Sequence, residues 1–567
     1  QWMRKERAYV FDFDPARTLI IFDEFANNLS PLTADGRGTS EVRQENIHRL
    51  LNFFPVLGED DEGRMVRLDA AQVLSIPRRL KSMEVVRHGF LSNFLFQNIG
   101  TVFGAPAVVR EIMDKLTPAQ DKPNKNKNAS LDGISSVMVD ENGDAFVSNE
   151  IVIGQTQDIF GAKRYAEIEE QIAPHIDRIS VSDGAAAVQA SMERLADAVQ
   201  EKLRTEVVAP VAESYSVKPS MKKRMELQVG QEIQRKFEEL RDDYVQRENV
   251  AKAELTRRRD AAESEAEQLA AEKDYDAEMA AALHALTEAA QSAARETIEN
   301  KPQELVERME RVKAEEKKRS VEDEVRARLR GFSRTIPSFI MAYGDADMTL
   351  ANFDDYTDDD VFEEVTGISE AEFRFLRDGG TYRNPETGAE DHFAGHIFDE
   401  VVFNDSIAEF LKKKEELANY FDESQEEDIF DYIPPQKTNQ IFTPRRVVQQ
   451  MVDALACENP GCFDDATHTF ADLYMKSGLY ITEIVKRLYH SDKIKAEYPN
   501  DAERIRHILQ HQVYGMAPTR IIYLIATNYI LGFDESMKSE TKNFVQADAS
   551  QAAKEGKLTE LVKKCFG

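Results

Sequence analysis

Cysteine is scarce in this chain, with three among 567 residues, at positions 457, 462 and 565. Three scattered thiols build neither a disulfide framework nor a zinc cage, and they are typical of a reducing compartment. Long apolar runs are also missing. The longest, from Ile521 to Phe533, is interrupted by Thr527 and Asn528, whereas a bilayer span takes about 18 apolar residues or more. We therefore expect a cytoplasmic protein without membrane contact.

Positive charge is the second shortage, because 72 Lys and Arg face 103 Asp and Glu, a formal net charge of -31. A surface that is basic overall is excluded, so any contact with nucleic acid must come from local clusters or from a partner. Three clusters qualify: Lys218–Arg224, Arg257–Arg259 and Glu324–Arg330. Each could follow a phosphate backbone. The more ordinary interpretation is a solvated helix face balanced by nearby carboxylates.

Shifts in composition divide the chain into four predicted ranges. Residues 1–217 mix helical and strand-like segments, and two apolar runs near the start, "AYVFDFDP" and "RTLIIFDEFANN", are typical of strands in an α/β layer. Residues 218–330 form a long helical arm, either a lever or spacer or an ordinary helical hairpin. Residues 331–435 are a second helical block with an acidic linker, and 436–567 carry the candidate chemistry.

Local signals place several helix ends. In the arm, Val229, Ile233, Phe237, Leu240 and Tyr244 are spaced by four, four, three and four residues, which predicts one buried helix face. Gly331 and Pro337 are predicted to end the arm. In the next block, Gly367 breaks one helix, and Ser369 with Glu372 forms a capping box for the following one. Pro434-Pro435 is the predicted boundary before the last range.

The last range holds two devices suited to an amino-acid ligand. In "TNQIFTPRRVVQQMVDAL", Thr443 is predicted as a helix N-cap and Pro444 as the first helical residue. The exposed amides of such a helix start favour a carboxylate. In "FADLYMKSGLY", a strand ends at Asp472 and turns through Ser477-Gly478 into a helix. The acid can accept hydrogen bonds from an ammonium group, and glycine lets backbone approach a ligand.

These two stretches resemble the cofactor motifs of DNA adenine amino-methyltransferases. "NQIFTPRRVVQQMVD" is similar to their N-terminal motif, and "FADLYMKSGLY" is similar to a divergent Asp-Pro-x-x-Gly-x-Gly loop. The resemblance implies that S-adenosylmethionine binds here. It places Phe442, Thr443 and Pro444 around the methionine moiety and Asp472, Ser477 and Gly478 in the surrounding loop. By the same resemblance, the strand of "NFVQADAS" ends near the adenine pocket and nominates Asp548 for substrate binding.

The sequence departs from this family at several points. Tyr474, Met475 and Lys476 stand where the common loop keeps small residues, and Met516–Pro518 stand where the acid for the ribose is expected. The catalytic Asn-Pro-Pro-Tyr tetrapeptide, which holds the flipped base in that family, does not occur, so the catalytic residues are unknown. We expect more sequence on both sides of this segment, with the tetrapeptide following Gly567.

The amino-terminal part carries a second resemblance. "ERAYVFDFDPARTLIIFDEFANNL" and "LNFFPVL" are similar to the end of a RecA-like helicase domain, and "LRGFSRTIPSFIMAYGD" and "VFEEVTGISEAEFRFLRDGG" are similar to a helical coupler. Together these resemblances imply a restriction-modification enzyme of the type I, type III or single-polypeptide kind, in which a translocase is fused to an adenine methyltransferase. They imply double-stranded DNA as partner, ATP and Mg for the parent helicase part, and missing helicase, methyltransferase and target-recognition parts.

The expected fold is mixed and predominantly α: an α/β remnant of a RecA-like domain, a long helical coupler, then the first half of a Rossmann-like class I methyltransferase fold. The alternative is a non-enzymatic helical scaffold whose degenerate methyltransferase-like fold binds DNA or another partner.

Two features resemble other kinds of site. "LIIFDEFA" resembles a helicase magnesium motif, but no phosphate-binding loop precedes it. His507 and His511 have zinc-like spacing without an evident third ligand, and a structural role is expected. We find no nuclease constellation.

Overall fold

The structure is a computed structural model. It describes residues 40–59, 64–119, 144–161, 164–384, 387–422, 424–435, 442–534 and 542–567, together with residues 19, 21–22, 131, 134, 137–140 and 536–537. The described chain is predominantly helical, as the sequence predicts. None of its helices combines the length and the apolar character needed to cross a membrane.

The chain forms two compact units, within which residues contact one another more than they contact the other unit. One unit comprises residues 137–319, and the other comprises residues 1–136 with 320–567. This division does not follow the four predicted ranges, whose assignment to particular domains stays a prediction. Most of the strands expected between Ala8 and Asn28 lie outside the described residues. Leu19, Ile21 and Phe22 are described and are helical, so the strand prediction is wrong at those three residues.

The unit of residues 137–319 is built around a helical hairpin. One arm is the helix Pro219–Ala261, and the other belongs to the helix Glu265–Ser333. Ion pairs join the arms in antiparallel register, Lys301 to Glu232 at 2.7 Å and Lys236 to Glu296 at 3.1 Å. The remaining elements of this unit are Met138–Val139 and Ala145–Phe146, which pair as an antiparallel hairpin, and the helices Asn149–Phe160, Arg164–Ser180, Gly184–Leu203, Arg204–Val208 and Ala209–Ser214.

The predicted buried face of the first arm is confirmed. Val229, Ile233, Phe237 and Tyr244 are buried and Leu240 packs against them. A four-four-three-four spacing keeps these residues within one stripe of a 3.6-residue helix, and the stripe faces the helix Gly184–Leu203 and the second arm. The hairpin interpretation of residues 218–330 is therefore confirmed, while a lever role stays a prediction.

The other unit is also mostly helical, with an aromatic core. Phe339, Phe353, Phe362, Phe373 and Phe403 are fully buried, and neighbouring rings meet at tilted or edge angles with centroids 4.6 to 6.2 Å apart, a favourable aromatic geometry. The elements up to residue 458 are Ser40–Leu51, Leu57–Glu59, Met65–Arg67, Ala70–Arg87, Asn93–Leu95, Ile99–Gly104, Pro106–Lys115, Ile336–Tyr343, Leu350–Tyr356, Asp359–Thr366, Glu370–Asp378, Gly380–Arg383, Glu390–Phe393, Glu400–Glu416, Ile429–Tyr432 and Arg445–Glu458.

Two local predictions in this unit are confirmed. The helix Asp359–Thr366 ends at Gly367, which adopts a left-handed conformation, and Ser369 with Glu372 forms the predicted capping box. The predicted helix end at Gly331 is wrong, because the helix continues to Ser333. A side chain at Gly331 would place its Cβ 1.8 Å from the carbonyl oxygen of Thr117. Glycine therefore serves close backbone packing at this position.

Among the described residues of 40–217, strands pair only as antiparallel hairpins, Leu57–Glu59 with Met65–Arg67 and Met138–Val139 with Ala145–Phe146. The parallel sheet expected of a RecA-like remnant is therefore not among them.

A parallel sheet occupies the last part of the chain instead. The strand Phe470–Asp472 pairs with Val513–Ala517, which pairs in turn with Phe544–Gln546, both in parallel. Helices connect consecutive strands, so this part of the chain has βαβαβ connectivity. Asp472, Ala517 and Gln546 end the three strands at one edge. The helices of this part are Leu479–His490, Asp492–Glu497, Asp501–His507, Ile508–Gln512, Arg520–Ile530, Ala549–Lys554 and Leu558–Phe566.

Candidate functional site

Asp472 lies where the sequence places it, at the carboxyl end of a parallel strand. It is the last residue of Phe470–Asp472 and pairs in register with Gly515 of the central strand. Its Oδ1 accepts a hydrogen bond from the backbone N–H of Tyr474 at 3.1 Å, and this is its one polar partner among the described residues. The carboxylate has acceptor capacity for at least one further donor.

Burial raises the pKa of the Asp472 carboxyl group, and the hydrogen bond from Tyr474 offsets part of that rise. Among the described residues, no cation contributes to this shift. A carboxylate in such surroundings is stabilised by any cationic donor that approaches it. The edge of the sheet therefore offers an under-bonded acid that suits an ammonium group.

Gly478 adopts the left-handed conformation expected of a tight corner, with φ of 85°. The surroundings of this glycine give it a packing role, and its predicted role in letting backbone approach a ligand stays a prediction. A Cβ at Gly478 would lie 2.9 Å from Cδ1 and Cγ1 of Ile530 and 3.3 Å from the carbonyl oxygen of Ala526. The open side of the glycine is therefore occupied by the helix Arg520–Ile530. Ser477 is buried and its Oγ accepts a hydrogen bond from Leu479 N at 3.3 Å.

Met475 stands where the Asp-Pro-x-x-Gly-x-Gly loop, which this stretch resembles, has a small residue. Its side chain is fully buried, and its amide donates to the carbonyl oxygen of Met516 at 2.8 Å. Its Sδ would lie 2.7 Å from a Cβ built at Gly515. The loop is therefore tied down onto the end of the central strand, with the methionine packed over a glycine that leaves room for it.

The predicted cap at Thr443 is wrong by one residue. The helix runs from Arg445 to Glu458, Pro444 is its capping residue with an extended ψ of 141°, and no side chain bonds to the helix start. Proline carries no N–H, and its extended ψ delays the first helical turn until Arg445. Val448 and Val452 of the predicted apolar face are buried, whereas Met451 is exposed.

Phe442 packs within the protein. Its ring lies 4.9 Å from that of Phe430, which in turn lies 4.9 Å from Tyr529. Gly478 of the second stretch lies against Ile530, which follows Tyr529 in the chain. Both predicted stretches therefore approach the end of the helix Arg520–Ile530. The helices that follow these stretches also pack together, with Arg487 bonded to Asp453 at 2.6 Å. The tertiary structure thus brings the two predicted motifs to neighbouring positions.

Asp548 lies two residues beyond the third strand, at the same sheet edge as Asp472. It is exposed and caps the helix Ala549–Lys554, accepting hydrogen bonds from Ser550 and from Gln551 N. The hydrogen bond from the Ser550 hydroxyl is the main cause that lowers the Asp548 pKa. A helix-capping role therefore accounts for the acid in this structure. Met516 and Ala517, which stand in place of the ribose acid, are fully buried.

A cavity of about 520 Å³ lies between the helices Arg445–Glu458 and Leu479–His490. Arg445, Lys486 and Arg487 line it together with Glu483. Glu483 neutralises two of these cations, since it lies 3.2 Å from Lys486 and 3.0 Å from Arg487. None of the predicted site residues lines this cavity. Its residues escaped the sequence analysis, although the four-residue spacing of Glu483 and Arg487 is a signal for an intrahelical ion pair.

His507, one of the two histidines with zinc-like spacing, has structural partners, and the His511 ring lies 5.2 Å from the His507 ring. The His507 ring stacks on Tyr498 at 4.2 Å, and its Nε2 is 3.0 Å from the carbonyl oxygen of Ala466. In the part of the chain that the structure describes, no group of three or more metal-ligating side chains is positioned around a common point.

Comparisons of the chain with protein-family models, with curated proteins and with solved structures found no match.

Proposed function

We propose that residues 436–567 form the S-adenosylmethionine-binding half of an adenine-N6 DNA methyltransferase. The observation that carries the proposal is the half-buried, under-bonded carboxylate of Asp472 at the carboxyl edge of a parallel βαβαβ unit. Ligands of open α/β sheets bind at this edge. The ammonium group of the methionine moiety supplies the cationic donor that Asp472 lacks.

The wider proposal is that this chain is part of a restriction-modification enzyme, in which the methyltransferase is coupled to an ATP-dependent translocase acting on double-stranded DNA. Its support is the resemblance of "NQIFTPRRVVQQMVD" and "FADLYMKSGLY" to the methyltransferase motifs, together with the neighbouring positions of the two stretches. The segment from Gly331 to Pro435 would be the coupler. ATP and Mg belong to the helicase part of the parent protein.

A second candidate is a non-enzymatic scaffold with a degenerate methyltransferase-like fold. The packing of Met475 over Gly515 and of Ile530 against Gly478 favours it, because both side chains occupy space beside the loop. In this alternative the edge of the sheet holds no cofactor.

Calorimetric titration of the full-length protein with S-adenosylmethionine separates the candidates. Saturable binding that S-adenosylhomocysteine competes away supports the methyltransferase, since both molecules carry the same amino-acid moiety. Absence of binding to the folded protein supports the scaffold. The gene sequence beyond Gly567 is an independent check, because the methyltransferase proposal requires an Asn/Asp-Pro-Pro-Tyr/Phe motif there.

A further inference from the structure

Four lysine and arginine side chains cluster at the start of the helix Pro219–Ala261. Lys218, Lys223 and Arg224 are exposed and Lys222 is part-buried, and within the described residues none of the four makes an ion pair or a side-chain hydrogen bond. Met225, the residue after Arg224, is buried in the core of this unit. The four cations therefore lie on the solvent-facing side of the first two helical turns. We call Lys218, Lys222, Lys223 and Arg224 the basic surface.

The other two basic clusters of the sequence have partners within the protein. Arg257, Arg258 and Arg259 each lie within 4 Å of a carboxylate, the closest contact being 2.7 Å from Arg257 to Glu254. In the third cluster, Arg326 and Arg328 pair with acids, and Arg330 bonds to Asn93 at 2.6 Å. The structure therefore separates one unpaired cluster from two paired ones of similar composition.

The position of the basic surface is electrostatically unfavourable for the isolated protein. A helix start carries partial positive charge, so cations there oppose the helix dipole. No acidic residue occupies the first turn of this helix, and Lys218 and Lys222 are like charges four residues apart, which repel. Arg258 and Arg259 lie in the last turn of the same helix, where cations are favourable. A polyanion bound to the basic surface would remove this repulsion.

The antiparallel hairpin adds a further cation from the second arm. Lys301 pairs with Glu232, so seven residues further along the second arm Arg308 comes level with Met225 on the first, by equal rise per residue. Arg308 is exposed and unpaired within the described residues. Along the helix, Lys218 and Arg224 are about 9 Å apart at 1.5 Å per residue, a length that spans more than one phosphate of a nucleic-acid strand.

We propose that the basic surface binds the phosphate backbone of double-stranded DNA. The charge complementarity of unpaired cations in a chain with net charge of -31 points to a polyanion, and the choice of DNA rests on the proposed function. The proposed contact is with phosphates, and phosphate contacts carry no sequence information directly. The surface would hold the helical hairpin on the duplex.

The test is the salt dependence of DNA binding by the full-length protein. Fluorescence anisotropy with a short labelled duplex over a salt series gives the slope of log K against log salt. Each phosphate contact contributes about 0.9 to that slope. The variant K222A/K223A/R224A should lower its magnitude by about 2 to 3. The control R257A/R258A/R259A removes the same charge from the same helix and should leave the slope unchanged.

Several results would overturn the proposal. These are equal slopes for the wild type and K222A/K223A/R224A, equal losses in both triple variants, or tighter binding of single-stranded RNA or anionic vesicles than of duplex DNA through the same residues. Thermal unfolding guards against misfolding, since the variant should be at least as stable as the wild type. Titration with S-adenosylmethionine keeps the two proposals apart. Cofactor binding without a slope change refutes the basic surface alone, and a slope change without cofactor binding refutes the methyltransferase alone.

Discussion

The substitution Asp472→Asn tests the candidate site most directly, because it removes the charge and keeps the shape. Asparagine retains the side-chain oxygen that accepts the hydrogen bond from Tyr474 N, so the turn after the strand is preserved. The ammonium group of S-adenosylmethionine loses its charged acceptor. A charge-assisted hydrogen bond contributes about 1.5 to 3 kcal/mol, so affinity should fall about ten- to a hundredfold. Calorimetry on both proteins measures this.

The substitution Asp472→Asn should lower cofactor affinity without lowering the stability of the cofactor-free protein. Because the folded pKa of Asp472 is raised above its ordinary value of 3.8, the folded protein binds the proton more tightly than the unfolded chain. Its stability therefore falls as the pH rises from about 3.8 through the folded pKa. The Asn variant lacks this loss, so without cofactor it should be as stable as the wild type or more stable at neutral pH. Chemical denaturation at several pH values measures the difference.

Cofactor affinity should show the complementary pH dependence. The ammonium group binds the ionised carboxylate, so affinity for S-adenosylmethionine should rise as the pH rises through the folded pKa of Asp472. In the Asn variant this rise should be absent. A structural role for Asp472 would not couple ligand affinity to its ionisation.

Asp465→Asn is the matched control. Asp465 precedes the same strand and makes the same kind of turn, since its Oδ1 accepts from Thr467 N at 2.8 Å. It is exposed, and the hydrogen bond from the Thr467 side chain is the main cause that lowers its pKa. Its replacement should leave cofactor affinity unchanged. Equal affinities of the wild type and the Asp472→Asn variant would refute the reasoning, as would equal losses in the two variants.

Two further predictions concern stability. Gly478→Ala should destabilise the protein by more than the control Gly461→Ala. Both glycines have positive φ, which costs about 1 to 2 kcal/mol for alanine, but only Gly478 would also press its Cβ into a neighbouring helix. Gly331→Ala should lower the melting temperature because its Cβ would meet Thr117 O, whereas Gly154→Ala, in open space within a helix, should stabilise by about 0.5 to 1 kcal/mol. Equal effects within either pair, measured by thermal unfolding, would contradict the packing described.

The features that the sequence determined depend on a few neighbouring residues. The spacing of Val229, Ile233 and Phe237 is set by the helical repeat, so the buried face of the first arm follows from the pattern. The capping box of Ser369 and Glu372 is complete within four residues. Asp472 at the end of a strand is similarly local. The predominance of helix follows from many such signals.

The tertiary structure decided what lies beside these residues. In the sequence, Gly331 and Gly478 both resemble glycines at the boundary of a helix. In the structure, Gly331 lies inside a helix against Thr117, and Gly478 faces Ile530. The three basic clusters look alike as sequence. Only the fold shows which carboxylates neutralise Arg258 and Arg259 and that, among the described residues, Lys222 and Lys223 have no ion-pair partner. The same holds for Asp472, whose carboxyl pKa is raised by burial in the folded protein. Burial and ion pairing are interactions between residues far apart in the chain, so a local pattern predicts an element but not its surroundings.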